Sequence, residues 1–196
     1  MKIIVQILVF FISTSILAQQ SSTSTELVKK ALEDKEKQTK NSPVKNPAFT
    51  NIGPNIMSGR VADIDVNPND PTEFYVGYAS EGLWYINNNG ITFEAILDNT
   101  PTQNVGDIPV DWKNGTIWVE TGEKNSSRSS YAGIGIMKPE NNGKTWEYLG
   151  LSDSHHISRI VVKPNNPDEV IVGVIVHLYS HNEERGVFKT VDGGKS

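Results

Sequence analysis

The sequence contains no cysteine, so disulfides cannot hold the fold and a lipoprotein anchor has no attachment point. Positive charge is also scarce, because 18 lysines and arginines stand against 23 aspartates and glutamates, for a formal net charge of −5. A nucleic-acid partner would require a basic face, which this composition does not supply. Beyond the N-terminus there is no apolar run of the ~20 residues that a membrane span needs. We therefore expect a chain stabilised by its hydrophobic core, with no nucleic-acid partner and no stable membrane span after removal of the N-terminal segment.

The N-terminus has the features of an export signal. Lys2 precedes an apolar run that continues to Leu17, and Ala18 supplies a small residue at a cleavage position. This pattern predicts a signal peptide over residues 1–18 and an exported protein, located in the periplasm, at the cell surface or outside the cell. The alternative interpretation is a single N-terminal anchor.

Residues 19–48 form a polar, charge-mixed segment that we interpret as a tether. Leu27, Val28, Ala31 and Leu32 are spaced for one narrow helical face. Isolated helices of this length are marginal in water, so a short helix and a solvated linker both remain open.

A short polar turn recurs along the rest of the chain. Its glycines Gly90, Gly143 and Gly194 lie 53 and 51 residues apart, and a fixed period of this size indicates a repeat array. An Asn or Asp two residues before each glycine is expected to bond the backbone two residues on, while the glycine supplies a positive φ. We assign a structural role to the turn residues Asn88, Gly90, Asn141, Gly143, Trp146, Asp192 and Gly194.

Each repeat contains short β-branched and aromatic runs that predict four strands. In the first repeat these runs cover residues 61–66, 74–77, 82–86 and 92–97. Four strands in about 50 residues form one propeller blade, so the predicted fold is all-β, a β-propeller over residues 49–196. The blades are predicted at about 58–98, 104–151 and 156–196. A closed ring needs roughly 4–8 blades, so we expect an incomplete propeller from a truncated sequence.

The turns resemble the Asp-box (BNR) pattern S/T-x-D-x-G-x-T-W/F, although Asn replaces Asp in the first two copies. Four longer motifs in the same order resemble the large bacterial exported proteins with sortilin-like propellers, often loosely labelled glycosyl hydrolases. These motifs are I-G-P-N-I-M-S-G-R-V-A-D-I, W-V-E-T-G-E-K-N-S-S-R-S-S, H-I-S-R-I and N-E-E-R-G-V-F-K-T-V-D-G-G-K. The resemblance covers residues from about 49 to 196. It implies a non-catalytic module that binds a peptide, a glycan or another macromolecular ligand, without a cofactor.

The alternative function is a glycoside hydrolase that acts on extracellular polysaccharide, since Asp-box propellers also build such enzymes. Two motifs of those enzymes are absent: Arg60 is followed by Val61 rather than by the sialidase signature, and Ala79 stands where xyloglucan-type enzymes place an Asp. Glu81 is either a displaced catalytic carboxylate or a solvated loop residue. Whether the full-length protein is an enzyme stays open, and we lean towards a binding role.

The alignment of the repeats places Asp63, Asp107 and Arg159 at one equivalent position on the first strands. First strands line the central channel of a propeller, so these residues are expected to bind a ligand there or to form ion pairs between blades. Long loops in the second and third blades supply further candidates, because loops at one end of a rigid sheet often carry function. The candidate binding residues are Arg60, Asp63, Asp107, Glu123, Arg128, Arg159, Glu183 and Arg185, and the weak catalytic candidates are Glu123 and Glu81. Glu123 and Arg128 could instead pair with each other to brace their loop.

Three histidines near the third blade, His155, His156 and His181, raise the question of a metal site. Adjacent histidines on a strand point to opposite faces, so a site with two of them would require a loop conformation. We therefore predict no metal and no cofactor.

Overall fold

The structure is a computed structural model that describes residues 23–48, 59–125, 130–140, 143, 145–175, 177–178 and 180–196. The predicted signal peptide, Arg128 and Asn141 lie outside the described residues. Apart from one helix, the described elements are β-strands arranged in antiparallel sheets.

The first sheet is a four-stranded meander in which sequence neighbours are also neighbours in space. Its strands are β1 (Val61–Val66), β2 (Phe74–Tyr78), β3 (Gly82–Ile86) and β4 (Glu94–Ala95). The first three agree with the runs in the sequence. Strand β4 is shorter than the predicted 92–97, because Thr92 at the start of that segment is still bonded within the preceding turn.

The second sheet repeats this arrangement and adds a small hairpin. Its four strands are β5 (Val105–Asp107), β8 (Val119–Thr121), β9 (Ile136–Glu140) and β10 (Thr145–Tyr148). The hairpin between β5 and β8 consists of β6 (Val110–Asp111) and β7 (Thr116–Ile117), which the sequence analysis did not predict. Asp111 accepts the amides of Lys113 and Asn114 within its turn, a short-range pattern that the alternation of apolar residues does not reveal.

The third sheet contains β11 (Ile157–Lys163), β12 (Asn166–Val174) and β13 (Gly186–Thr190). Strand β5 contacts both β1 and β11, so the first strands of the three sheets are neighbours. Successive β-meanders whose first strands lie side by side are blades, and the chain is a partial β-propeller.

Two apolar clusters fill the spaces between the blades. Leu83 and Leu97 of the first blade pack with Val105, Val119 and Met137 of the second. A second cluster joins Trp118 and Ile136 to the third blade, where its members include Ile157, Ile160, Val170 and Val172. Burial of each such side chain contributes about 1.5–3 kcal/mol, so each blade depends on its neighbour for its core.

In the recurrent turns, polar side chains bond the backbone at a longer spacing than the sequence analysis predicted. Asn88 Oδ1 accepts the amides of Ile91 and Thr92 at 3.1 and 3.0 Å, three and four residues on rather than two. Asp192 Oδ1 accepts the amides of Lys195 and Ser196 in the same way, both at 3.0 Å. The glycines Gly90, Gly143 and Gly194 have φ of 84°, 77° and 93°, and Trp146 packs against the core of the first two blades.

The segment before the propeller forms a helix, α1 (Thr25–Asn41), which resolves the choice between helix and linker. Ser24 caps its N-terminus by accepting the amide of Leu27 at 3.4 Å. Thr25 Oγ1 donates to the carbonyl of Ser152 at 2.6 Å, and Val28 packs against the core of the first two blades. The start of the segment is therefore docked on the propeller. No described helix is long and apolar enough to cross a membrane.

Carboxylates on the first strands connect one blade to the next. Asp63 Oδ2 accepts the amide of Ile108 at 3.0 Å, and Asp107 Oδ2 accepts the amide of Ile160 at 2.7 Å. Asp107 is the equivalent of Asp63 in the second blade, and Arg159 is the equivalent of Asp107 in the third. Each carboxylate thus accepts the amide of the residue that follows its equivalent in the next blade. Asp107 Oδ1 also receives Lys124 Nζ at 2.8 Å and Arg159 Nη1 at 3.1 Å.

The contribution of Asp107 can be measured by removing its carboxylate. Asp107 is 1% exposed, so Asp107→Ala leaves the Ile160 amide and two cations without their buried acceptor. We expect a loss of about 3–5 kcal/mol in the free energy of unfolding, measured by urea denaturation. Asp34→Ala, which removes a half-exposed carboxylate 3.9 Å from Lys37, should cost less than about 1 kcal/mol. Equal losses in the two variants would contradict a role for Asp107 between blades.

The docking of α1 can be tested by proteolysis at its lysines. Thr25→Val removes the hydrogen bond to Ser152 and preserves the side-chain shape, so cleavage by trypsin after Lys29 should accelerate about 5-fold, corresponding to ~1 kcal/mol. Thr39→Val is the matched control, since Thr39 Oγ1 bonds only within the helix, to Lys35 O at 2.8 Å. Identical cleavage rates for Thr25→Val and the unmodified chain would show that this contact does not hold the helix.

Candidate functional site

Loops from all three blades meet at one end of the sheets, and we call this end the loop face. It consists of residues 79–81, 98–104, 121–125, 130–134, 150–156 and 180–185. Backbone hydrogen bonds join these loops: the amide of Gly82 donates to Gln103 O at 2.8 Å, and the amide of Gly133 donates to His155 O at 2.8 Å. The loops are therefore parts of one surface.

A cavity of about 350 Å³ opens between the loop face and the start of α1. We call it the loop-face cleft. Its lining contains hydroxyl, amide and imidazole groups together with apolar side chains and backbone. The lining residues are Thr23, Thr25, Val28, Pro101, Thr102, Asn104, Ala132, Gly133, Ile134 and His155. Asn104 Nδ2 donates to Ala132 O at 3.0 Å, which holds one wall of the cleft in place.

Glu123 lies beside this cleft but is fully engaged within the protein. Its side chain is buried, and Arg60 binds it through two parallel bonds, Nε to Oε1 at 2.7 Å and Nη2 to Oε2 at 2.5 Å. This bond to Glu123 raises the pKa of Arg60. This partner comes from the preceding blade; a pair between Glu123 and Arg128 stays a prediction, since Arg128 lies outside the described residues. A carboxylate that accepts two guanidinium bonds is poorly placed to donate or accept a catalytic proton.

The first-strand residues Asp63, Asp107 and Arg159 form contacts between blades, as one of the two interpretations expected. Burial raises the pKa of Asp63. The hydrogen bond from the Ile108 amide acts to lower this pKa, and the nearby Asp107 charge acts to raise it. Arg159 remains largely exposed while it binds Asp107. These groups are therefore parts of the framework beneath the loop face.

Glu120 is a buried carboxyl group that the sequence analysis did not single out. It is completely buried, and neither carboxylate oxygen has a well-formed hydrogen bond within the described part of the chain. Burial, followed by repulsion from Asp107, raises the pKa of Glu120 well above its usual range. Gly106 is required beside it, because a Cβ there would lie 2.5 Å from Glu120 Oε1. Glu120 directly follows the apolar run Ile117, Trp118 and Val119, and a carboxyl group that continues such a run is the signal that could have revealed it.

The remaining charged candidates, Glu81, Glu183 and Arg185, are exposed on the loop face. The carbonyl of Glu81 accepts Trp84 Nε1 at 2.8 Å. Glu183 and Arg185 are exposed in the loop after β12. Among the described residues, their side chains take no part in the Arg60–Glu123 pair or in the ion pairs of Asp107. Their neighbour Glu184 accepts the amide of Asp153 at 2.8 Å.

Two of the histidines precede strand β11 rather than lying on it, contrary to the expectation from the sequence. His155 has φ of 48°, and its ring stacks on that of His177 with 3.4 Å between centroids. Burial, followed by the influence of His177, lowers the pKa of His155 to about 4. His156 Nδ1 contacts Glu123 O at 2.9 Å, whereas His181 is exposed. The sequence analysis omitted His177, since only the fold brings it to His155.

No protein-family model matches the sequence, and no curated protein matches it. Solved structures do resemble the fold. An ancestral GH74 enzyme has 20% identity and a TM-score of 0.51 over 69% of this chain and 18% of its own. The Niastella koreensis GH74 enzyme has 19% identity and a TM-score of 0.51, over 68% and 21%. The GH74 xyloglucanase from Xanthomonas campestris has 15% identity and a TM-score of 0.52, over 69% and 20%.

The chain therefore spans about a fifth of the length of these enzymes. At such low identity the likeness supports the propeller fold alone. It does not distinguish an Asp-box or sortilin-like propeller from other propellers.

The buried Glu120 predicts an unusual dependence of stability on pH. The folded state retains a proton that the unfolded chain releases above about pH 4.5, so this group stabilises the fold at low pH and the contribution is lost as pH rises. Glu120→Gln removes the titration, so the stability of this variant relative to the unmodified chain should be greater at pH 8 than at pH 5. Urea denaturation at both pH values measures this, with exposed Glu36→Gln as the control. A difference that does not grow with pH would contradict the assigned protonation.

Proposed function

We propose that the chain is part of an exported β-propeller that binds a peptide through its loop face. The observation that carries the proposal is the loop-face cleft, a cavity of about 350 Å³ that the docked helix and loops of two blades form together. Concave sites of this size, with a few fixed polar groups among apolar ones, are the usual form of a ligand site.

The chemistry of the cleft suits an uncharged ligand with many hydrogen-bonding groups. Thr102 and Asn104 provide polar groups along one wall, and the backbone of Ala132 and Gly133 forms another. The lowered pKa of His155 leaves its ring uncharged at neutral pH. A peptide backbone offers alternating donors and acceptors to such a surface.

A peptide fits this lining better than a glycan does. Sugar rings pack their apolar faces on aromatic side chains, which offer large flat surfaces with a polar handle. Among the described residues that line the cleft there is no Trp, Tyr or Phe. We therefore place a peptide first and treat a glycan as an outcome of the test.

The state of the carboxyl groups favours binding over hydrolysis. Glycoside hydrolysis uses two carboxyl groups on opposite sides of the scissile bond, roughly 5–9.5 Å apart. Glu123, the stronger of the two candidates, is buried and occupied by Arg60, and Glu184 accepts the amide of Asp153. Export remains part of the proposal on the strength of the sequence pattern at residues 1–18.

Binding can be tested with a phage-displayed peptide library panned against the full chain. We expect enriched peptides whose affinity falls about 10-fold or more in Ala132→Trp, since the indole occupies the cleft from an exposed position. Ile91→Trp is the matched control: Ile91 is 82% exposed in the turn between β3 and β4, at the opposite end of the sheet, and the change should leave affinity unaltered.

Two results would overturn the proposal. One is a library that yields no peptide above background, or peptides that bind Ala132→Trp as well as they bind the unmodified chain. The other is release of reducing sugar from a soluble polysaccharide such as xyloglucan, abolished by Glu81→Gln, which would establish a hydrolase.

A further inference from the structure

A compact group of metal-binding side chains lies where the second and third blades meet on the loop face. Asp153 and His155 come from the loop before β11, and His177 follows β12. One ligand atom from each of the three residues lies within 4.8 Å of the other two. His177 Nε2 is 3.4 Å from Asp153 Oδ1.

We propose that Asp153, His155 and His177 form a Zn²⁺ site with one open coordination position. Two imidazoles and one carboxylate are the donor set of zinc sites that keep a fourth position for water or a ligand. The all-oxygen ligands preferred by Ca²⁺ and Mg²⁺ are not provided here. His155 also lines the loop-face cleft, but the zinc proposal does not rest on peptide binding.

The loop conformation meets the condition that the sequence analysis set for a histidine site. His155 has φ of 48°, an uncommon conformation for a residue other than glycine, and strained backbone of this kind concentrates at functional sites. It turns the ring of His155 onto that of His177 instead of following the strand. Because rings in a parallel stack cannot both direct a lone pair at one ion, metal binding requires rotation of one imidazole about its Cβ–Cγ bond.

Surrounding groups hold His177 in place. Its Nδ1 lies 2.6 Å from Ser180 Oγ, and a hydroxyl can donate to or accept from that nitrogen. His177 Nε2 donates to Asp153 O at 2.6 Å in the structure; on metal binding the proton moves to Nδ1 and Nε2 becomes a ligand. Such outer hydrogen bonds orient the histidine ligands of metal sites.

The buried amide of Asn182 connects the two loops that supply the ligands. Asn182 is 4% exposed, its Nδ2 donates to Asp153 O at 2.8 Å, and its Oδ1 accepts the amide of His177 at 3.2 Å. Asn182 thus holds together the backbone of the two segments that carry Asp153 and His177, which keeps these side chains close while an imidazole rotates.

The proposal is tested by titrating Zn²⁺ into the full chain after treatment with a chelator and removal of any polyhistidine tag. Isothermal titration calorimetry at pH 7.5 should give one site, and Asp153→Asn should weaken it by about 10-fold or more. The carboxylate of Asp153 is largely exposed, so this variant should fold normally, which circular dichroism verifies. His155→Ala and His177→Ala should weaken binding to a similar degree.

His181→Ala is the matched control, since this histidine lies in the same loop as His177 but outside the group of three, and its loss should leave affinity unchanged. Replacement of Zn²⁺ by Co²⁺ should give the intense visible absorption of a tetrahedral site. Absence of binding would overturn the proposal. So would an equal loss of affinity in His181→Ala and Asp153→Asn, which would indicate nonspecific binding to surface histidines.

Discussion

The structure depends on carboxylates that reach from the first strand of one blade to the backbone of the next. Asp63 accepts the amide of Ile108, and Asp107 accepts the amide of Ile160, so the same relation occurs at both junctions between blades. Without these acceptors, amides at the inner edge of each blade would be buried and unpaired, at a cost of about 1–3 kcal/mol each. The bonds also set the position of each blade along its neighbour, which the nondirectional packing of apolar side chains does not do.

The loop face follows from this alignment. Loops from different blades contribute to one surface only when the blades are held in a fixed relation. Arg60 precedes β1 yet reaches Glu123 after β8, and His177 follows β12 yet stacks on His155 from the loop before β11. The loop-face cleft and the proposed zinc site therefore both occupy places where segments from separate elements converge. Such sites are expected to respond to changes in the framework as well as to changes in their own residues.

Features that arise from local chemistry could be read from the sequence. The period of the turns, the glycines at positive φ and the first three strands of the first blade all depend on residues within a few positions of one another. The sequence alone leaves open whether helix α1 forms, because its stability comes from Thr25 and Val28 docking on distant parts of the chain. Ser152, which accepts the hydrogen bond of Thr25, lies 127 positions away. Local pattern also cannot reveal a two-residue strand such as β6.

The candidate site was less accessible to such reasoning. The sequence drew attention to Asp63, Asp107, Arg159 and Glu123, because charged residues in or near strands need partners. It could not identify Arg60 as the partner of Glu123, 63 residues away, or bring His177 to His155. Glu120 was passed over because an alternating strand pattern does not show which of its polar residues is completely enclosed.

Native-state hydrogen exchange of individual amides tests the central role of the carboxylate bonds most directly. The amides of Ile108 and Ile160 are bonded to Asp63 and Asp107 rather than to a neighbouring strand backbone. We predict that both exchange as slowly as the amides in the centres of β2 and β12, with opening free energies close to that of global unfolding. Exchange of Ile108 and Ile160 at the rates of exposed amides without a hydrogen bond would show that the bonds open freely, and would contradict the account of how the blades are held together.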